Sequence, residues 1–210
     1  MARPFENEAS VKRATDRRVE RTRKLLQDAL IAMMIEKGYD ATTVQDIIDR
    51  ANVGRATFYA HFADKQTLLS SRLEDLRGFL SQRQRQAPGS LAFSLAMLEH
   101  ARAHLPVWVA IVGRKAGTLV LQRIQAIMAD LVEADIRALV FKRTPAERAL
   151  AVQYIAGAFM AVLTWWLDRG AKVGPEEVDA IFRRLVMQGL EGDLTLRANA
   201  KNKARQLRSL

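Results

Sequence analysis

Residues 42–69, TTVQDIIDRANVGRATFYAHFADKQTLL, constrain the fold of this 210-residue chain more than any other stretch. Apolar residues recur at helical spacing on both sides of Asn52, and asparagine tolerates the left-handed backbone that a sharp corner requires. Thr42 or Thr43 can cap the helix before the corner, and Asp64 can cap the helix that follows the short second one. The stretch therefore predicts a helix-turn-helix followed by the start of a further helix.

A helix-turn-helix places its second helix in the major groove of DNA. Phe58 and Phe62 lie four residues apart, so we expect them to pack this helix onto the first helix of the chain. The other side chains near its N-terminal side are then free to face DNA, together with polar residues nearby. The residues predicted to contact DNA are Arg18, Thr42, Thr43, Arg55, Ala56, Thr57, Tyr59, His61 and Lys65.

These side chains suit two kinds of contact. Arg55 can form two hydrogen bonds with a guanine edge, and Ala56 and the Thr57 methyl group can meet a thymine methyl group. Hydroxyls, an imidazole, an ammonium group and the amides at a helix N-terminus can bind phosphates. The residues assigned to phosphates are Thr42, Thr43, Tyr59, His61 and Lys65. The alternative for each is structural: a threonine that only caps, a tyrosine that only packs, or a lysine that is only solvated.

Three segments of the chain resemble the head of the TetR family of bacterial repressors. They are TR at 22–23, GYDATTVQDI at 38–47 and ANVGRATFYAHFADKQTLL at 51–69. The chain departs from that pattern at the turn, where Asn52 and Gly54 replace the usual glycine and serine, and glycine is itself an acceptable cap. The resemblance implies an all-helical homodimer that represses transcription until a small molecule binds its C-terminal domain.

Helical patterns dominate the rest of the chain, and strict apolar–polar alternation is absent. We predict an all-α fold of about nine helices, with a three-helix head and a larger helical ligand-binding and dimerisation domain. The first helix is expected to begin near residue 16 and the fifth near residue 90. The predicted divisions are a disordered basic arm at 1–15, the helix-turn-helix domain at 16–63, the ligand-binding and dimerisation domain at 64–194, and a basic, disordered tail at 195–210.

The composition limits the chemistry and the compartment. The chain has no cysteine, which excludes disulfides and thiolate metal sites and favours a reducing compartment. The N-terminus lacks the apolar stretch of a signal peptide, so we expect a cytoplasmic protein. The net charge of +10 is uneven, with +2 over residues 1–65 and +5 over residues 197–210. Basic residues suited to phosphate or minor-groove contact precede the helix-turn-helix, at Lys12, Arg13, Arg17, Arg18, Arg21, Arg23 and Lys24.

Residues 149–167, ALAVQYIAGAFMAVLTWWL, carry only Gln153 and Thr164 as clearly polar side chains. A segment of this length could span a bilayer, or could be a core helix, or could be buried on two sides by its own domain and a second subunit. The third interpretation is favoured, because the helix has a capping box and is apolar all round. No membrane partner is expected. The residues predicted at the dimer interface are Ala156, Met160, Ile181 and Leu185.

Large, soft or amphipathic side chains in the C-terminal part could line an effector pocket. The candidates are Met97, His100, His104, Trp108, Met128, Phe159 and Trp165. Simple core packing is the favoured alternative for any one of them. His100 and His104 have metal-ligand spacing, but a third ligand is not identifiable, so neither a metal nor another cofactor is predicted. The sequence also holds no recognisable catalytic set, which favours a protein that is not an enzyme.

Together with what the resemblance to the TetR family implies, these patterns favour a dimeric transcriptional repressor that a small-molecule effector releases from a pseudo-palindromic operator in double-stranded DNA. In this hypothesis the effector shifts the fourth helix and so changes the spacing of the two recognition helices. The alternative within DNA binding is a ligand-independent regulator, for which the basic tail would matter more. A rival of another class is a membrane-associated interaction protein that uses residues 149–167.

Overall fold

A computed structural model describes residues 4–112, 117–138 and 144–189 of the chain. Within these ranges the chain forms nine helices and no strand, which confirms the all-α prediction. The helices are α1 (Pro4–Lys37), α2 (Val44–Ala51), α3 (Arg55–His61), α4 (Lys65–Gln86), α5 (Phe93–Ala103), α6 (Leu105–Val112), α7 (Gly117–Ala138), α8 (Pro145–Asp168) and α9 (175–189).

The chain divides into two compact units. The first unit comprises Met1–Phe79 and Pro106–Ile124, and the second comprises Leu80–Leu105 and Gln125–Leu210. Helices α4 and α7 therefore contribute residues to both units. The boundary drawn from the sequence at residue 63 precedes α4, whereas the contacts divide the chain inside this helix.

Local signals set the end of α1 and both ends of α2. Gly38 follows α1 with a φ of 86°, a conformation that glycine adopts without strain. Thr43 caps α2, and Asp46 completes a capping box. Asn52 ends α2 in the left-handed conformation, with φ 51° and ψ 51°. The turn therefore has the backbone that the sequence predicted for it.

Polar side chains join α1 to α4 inside the first unit. The buried Gln27 donates to Ser71 Oγ at 3.1 Å and to Asp75 Oδ2 at 2.8 Å. Arg23 also donates to Ser71 Oγ, at 2.8 Å, and its guanidinium lies 5.2 Å from the ring centre of Phe62. These contacts lie beside the apolar core of the unit and fix α4 to α1.

The second unit has an aromatic core and two buried carboxylates. The Phe159 ring lies 5.5 Å from that of Phe93 and 5.2 Å from that of Phe182, so the contacts join α5, α8 and α9. Asp135 accepts hydrogen bonds from the amides of Gly89 and Leu91 at 2.8 and 2.9 Å. Asp179 accepts from Ser94 and forms an ion pair with Arg183, and these bonds compensate for burying its charge. These polar contacts satisfy groups that the apolar core would otherwise leave unpaired.

Two helix starts differ from the expectation. Helix α1 begins at Pro4, so residues 4–15, predicted to be disordered, continue the helix. The physical reason is that proline suits a first helical position and residues 5–37 contain neither glycine nor proline. Helix α5 begins at Phe93 because the preceding turn contains Leu91 with a φ of 55°, which helix cannot accommodate. The predicted tail at 195–210 lies outside the described residues.

Candidate nucleic-acid interface

Helix α3 has one buried face and one open face. Phe58 is fully buried, and its ring lies 6.2 Å from that of the buried Phe62 at the end of the helix. These two rings anchor α3 in the first unit. The sequence predicted that they pack α3 onto α1, and the Arg23 guanidinium of α1 lies 5.2 Å from the centre of the Phe62 ring. The side chains of the open face are Arg55, Ala56 and Tyr59, which are exposed, and Thr57 and His61, which are partly exposed. An arginine, a methyl group and hydroxyls thus lie together on a short helix, in a form suited to the major groove.

Thr42 and Thr43 do not both remain available for a phosphate. Thr42 is buried, and its hydroxyl donates to the carbonyl oxygen of Gly38 at 2.7 Å. The assignment of this side chain to a phosphate is therefore wrong, because a local backbone contact already uses it. Thr43 is exposed, but its amide donates to Asp46 Oδ2 at 2.7 Å and its hydroxyl donates to the same atom at 2.6 Å. A phosphate could bind Thr43 only in competition with Asp46.

Asp46 brings a negative charge to the N-terminus of α2. Hydrogen bonds from Lys37 and then from Thr43 hold the pKa of this carboxyl well below its usual range. The Lys37 ammonium lies 2.7 Å from Asp46 Oδ2. The carboxylate is therefore ionised at neutral pH, and it occupies the amide that an incoming phosphate would need.

Lys65 points towards protein rather than towards solvent. Its ammonium donates to the carbonyl oxygens of Tyr39, Asp40 and Thr42 at 2.9, 3.3 and 2.8 Å. It also lies 4.5 Å from the centre of the Tyr39 ring. The sequence assigned Lys65 to a phosphate, but its ammonium group already has three acceptors within the protein, and a phosphate would have to displace one of them.

The basic residues of α1 separate into outward and inward groups. Arg18 is exposed, as are Arg17, Arg21 and Lys24. Arg23 instead contacts Ser71 and Phe62 and links α1 to α4. Gln27 was not predicted to be buried, although a polar residue beside the apolar positions Leu26 and Leu30 is a signal for a buried hydrogen bond.

The residues proposed to line an effector pocket fall into different environments. Met97, Met128 and Phe159 are fully buried in the second unit. His100 is partly exposed and His104 exposed, with their rings 4.5 Å apart and His104 Nδ1 3.0 Å from the His100 carbonyl oxygen. Among the residues that the structure describes, no group of three or more potential metal ligands occurs.

Two tryptophans of this set do not join the buried group. Trp108 is buried, but it belongs to the first unit. Trp165 is 46% exposed, and the Arg169 guanidinium lies 4.8 Å from the centre of its ring. Its place in a pocket is therefore wrong, because it lies on the outer face of α8.

Helices α8 and α9 carry an exposed apolar face, defined by Leu150, Tyr154, Ala161 and Trp165 on α8 and by Ile181 and Leu185 on α9. The α8 members are four, seven and four residues apart, which is one or two helical turns each time, and so they form one stripe. Met160 is partly exposed, whereas Ala156 is fully buried inside the unit. Ala156 cannot contact a second subunit, and this corrects its assignment to the dimer interface.

Helix α8 is long and apolar enough to cross a membrane by length and composition alone. Core helices of soluble proteins meet the same criterion. Here Ile155, Phe159 and Leu163 are fully buried against the rest of the second unit, so a protein core already covers one side of the helix.

Comparison with known families identifies both parts of the chain. The model of the bacterial regulatory proteins of the tetR family matches residues 26–71, and a model of a transcriptional regulator C-terminal region matches residues 91–188. The first match contains α2 and α3, and the second contains the aromatic core of the second unit.

Relatives in sequence carry related descriptions. The uncharacterized HTH-type transcriptional regulator YxbF of Bacillus subtilis is 31% identical over 173 residues, covering 78% of this chain and 43% of that protein. The HTH-type transcriptional repressor KstR2 of Mycobacterium tuberculosis is 35% identical over 74 residues, covering 35% of this chain and 37% of that protein. The chain thus spans less than half the length of these curated relatives.

Solved structures share the architecture. A TetR transcriptional regulator from Streptococcus agalactiae superimposes with a TM-score of 0.63 at 25% identity, covering 83% of this chain and 98% of that one. FadR from Bacillus subtilis, in complex with stearoyl-CoA, gives a TM-score of 0.57 at 19% identity, covering 78% and 96%, and shares the fold. With its helix-turn-helix, its C-terminal region and its fold all matched, the chain belongs to the TetR family of bacterial regulatory proteins.

Proposed function

We propose that the chain is a DNA-binding transcriptional regulator that acts as a homodimer and represses transcription until a small-molecule effector releases it. The observation that carries this proposal is the open face of α3. There Arg55, Ala56 and Tyr59 are exposed while Phe58 anchors the helix in the core. A short, rigidly held helix with a free arginine near its N-terminus is the arrangement that direct readout in the major groove requires.

The contacts to DNA divide into readout and backbone contacts. Arg55 reads a guanine edge, while Ala56 and Thr57 meet a thymine methyl group. Tyr59 and His61 bind phosphates at the edge of the groove. Further phosphate contacts come from the exposed basic residues of α1, with Arg18 among them.

Dimerisation follows from the length of DNA that one copy of α3 can read. A single recognition helix contacts few base pairs, so two copies related by a two-fold axis are needed for a pseudo-palindromic operator. The exposed apolar face of α8 and α9 supports self-association, because Leu150, Tyr154 and Leu185 are costly to leave in water. A four-helix contact between two such faces would cover these side chains.

Effector release is the finer part of the proposal. Met97, Met128 and Phe159 are large buried side chains of α5, α7 and α8, and we assign them to the effector site. Helix α4 contributes residues to both units, so a shift of its second half is transmitted to the first unit. The effector must prefer the released state, typically by ~1–3 kcal/mol.

The test begins with selection of an operator from random duplex DNA by the purified full chain. Arg55→Ala should weaken binding to the selected operator by ~1–3 kcal/mol and relax the base preference at one position, because one bidentate contact is lost. Arg102→Ala is the matched control, since Arg102 is exposed in the second unit. Fluorescence anisotropy measures the affinity of both variants for the operator and for random DNA. Equal losses for Arg55→Ala on the two duplexes would contradict its assigned role.

The effector is sought in a second step. Compounds that raise the melting temperature of the free protein are added to the operator complex, with stearoyl-CoA as one member of the panel. An effector should dissociate the complex at concentrations that saturate the protein. Ligands that stabilise the protein but never weaken operator binding would favour a ligand-independent regulator.

A further inference from the structure

The ammonium group of Lys65 is held by the loop that joins α1 to α2. Lys65 is the first residue of α4. Its Nζ lies 2.9 Å from the carbonyl oxygen of Tyr39, 3.3 Å from that of Asp40 and 2.8 Å from that of Thr42. A lysine has three hydrogens to donate, and three carbonyl oxygens accept them here. A phosphate could reach this ammonium only by displacing one of these oxygens.

The position of Lys65 on its helix makes this contact informative. A cation in the first turn of a helix is disfavoured by the helix dipole. The three carbonyl oxygens and the Tyr39 ring, 4.5 Å away, supply the compensating negative potential. The charge of Lys65 is therefore directed at the loop, and its neutral replacement would leave three carbonyl oxygens without this donor.

The loop leads directly into the DNA-facing part of the first unit. Thr42 precedes Thr43, which caps α2, and α2 continues through Asn52 to α3. On the other side, Asp64 caps α4 by accepting from the Thr67 amide at 2.7 Å and from its hydroxyl at 2.9 Å. Lys65 thus connects a firmly capped helix start to the loop that sets where α2 begins.

We propose that Lys65 is a positioning residue for DNA binding: it holds the α1–α2 loop to α4 and makes no phosphate contact itself. This inference rests on the proposed function. It separates two roles that a lysine near DNA can have. A phosphate contact contributes to the salt dependence of binding, whereas a positioning residue changes affinity without changing the number of phosphates neutralised.

The experiment compares Lys65→Met with Arg18→Met on the selected operator over a series of salt concentrations. Lys65→Met should bind the operator roughly tenfold more weakly, a loss equivalent to about one charge-assisted hydrogen bond. Its salt slope, the slope of log binding constant against log salt concentration, should equal that of the wild-type chain. Arg18→Met should lower the magnitude of that slope by about 0.9, as expected for the loss of one phosphate contact. Circular dichroism at the assay temperature establishes that each variant is folded.

Lys65→Arg gives a second readout that does not depend on the tolerance of the site for methionine. Arginine binds phosphate as well as lysine or better, but its planar fork fits three converging carbonyl oxygens poorly. Weaker operator binding by Lys65→Arg at an unchanged salt slope is the expected result.

Three outcomes would overturn the inference. They are a salt slope lowered by about one in Lys65→Met, operator affinity unchanged in a folded Lys65→Met, and wild-type or tighter binding by Lys65→Arg. A wild-type chain that selects no duplex at all would instead overturn the proposed function, and this inference with it.

Discussion

Single side chains in the first unit decide which groups are free to meet DNA. Asp46 accepts from both the amide and the hydroxyl of Thr43, and Lys37 neutralises part of its charge. The Thr42 hydroxyl donates to the carbonyl oxygen of Gly38, and the Lys65 ammonium group donates to the carbonyl oxygens of the α1–α2 loop. What remains open is the outer face of α3, where Phe58 holds the helix in the core; Arg55 and Ala56 are exposed there, and the exposed Tyr59 ring also packs edge-on against Phe58, 5.3 Å between ring centres. On the proposed function, we expect specificity to be concentrated in a few residues of this face, with Arg55 foremost.

Asp46 makes the stability of the first unit change with pH in the acid range. Its pKa is lowered in the folded chain by the hydrogen bonds from Lys37 and Thr43, relative to an ordinary value of 3.8. A lowered folded pKa contributes stability above the ordinary value, and this contribution is lost as the pH falls below 3.8 towards the folded pKa. Asp46→Asn should therefore melt at a lower temperature than the wild type at neutral pH, and the difference should shrink as the pH falls below 3.8.

Thermal unfolding followed by circular dichroism across this pH range measures the effect. Asp49→Asn is the control, because Asp49 is exposed and its carboxylate accepts from Gln45 on the same helix. A gap between Asp46→Asn and the wild type that persists undiminished in acid would contradict the mechanism.

Helices in this chain are fixed at their ends as much as along their faces. Thr144 caps α8 in a capping box, in which the Glu147 side chain accepts a hydrogen bond from the Thr144 amide. Pro145 occupies the first helical position. Such signals lie within four residues of one another. The turn before α5 is different, because its two amides are bound by Asp135, a residue of α7 more than 40 positions away. That contact joins α7 to the turn between α4 and α5.

Removing the Asp135 carboxylate should lower the free energy of unfolding more than removing that of Glu133, another acidic residue of α7. Asp135→Ala leaves two buried amides unpaired and releases Leu91 from its positive-φ conformation, so we expect a loss of about 2–3 kcal/mol in the free energy of unfolding. Glu133→Ala removes an exposed ion pair with Arg137 and should cost less than about 1 kcal/mol. Urea denaturation of both variants measures the difference, and equal losses would show that Asp135 does not hold the turn.

At the scale of the whole molecule, the exposed apolar face of α8 and α9 has to be explained. Leu150, Tyr154 and Leu185 are among the most exposed large apolar side chains of the described residues. Helix α8 is buried on the opposite side by the aromatic core around Phe159. A helix that is apolar all round is satisfied when a second subunit covers its open face. The same two-fold contact would set the spacing of the two copies of α3.

In the proposed homodimer, Leu185→Arg should give a folded monomer. Leu185 is 61% exposed in the single chain, so its replacement disturbs little within the unit. In a two-fold interface the change occurs twice and places two charges in an apolar contact, which should weaken the dimer by roughly 100-fold or more. Analytical ultracentrifugation measures the change, and operator affinity should fall with it.

Val109→Arg provides the matched control. Val109 has a similar exposed apolar side chain, but it lies on α6 in the first unit. This variant should sediment as the wild type does. If Leu185→Arg remains dimeric while folded, the α8–α9 face is not the interface.

The sequence by itself determined the helices and most of their ends, because those signals act over a few residues. The capping boxes at Thr43 and Thr144 and the left-handed Asn52 are all local, and the pairing of Phe58 with Phe62 is set by helical spacing. Membership of the family also followed from the order of residues between positions 38 and 69, which the matched models confirmed.

Only the tertiary structure decided which side chains are free. Lys65 meets carbonyls 23 to 26 positions earlier in the chain, and Arg23 meets Ser71 across a separation of 48. No local pattern encodes such contacts, because they depend on how α1 and α4 pack. The exposure of Trp165 and the burial of Ala156 on α8 likewise depend on which side of an all-apolar helix faces the core. Helix formation is governed by near neighbours, whereas the use of a hydroxyl, an ammonium group or an aromatic ring is settled by residues that folding brings together.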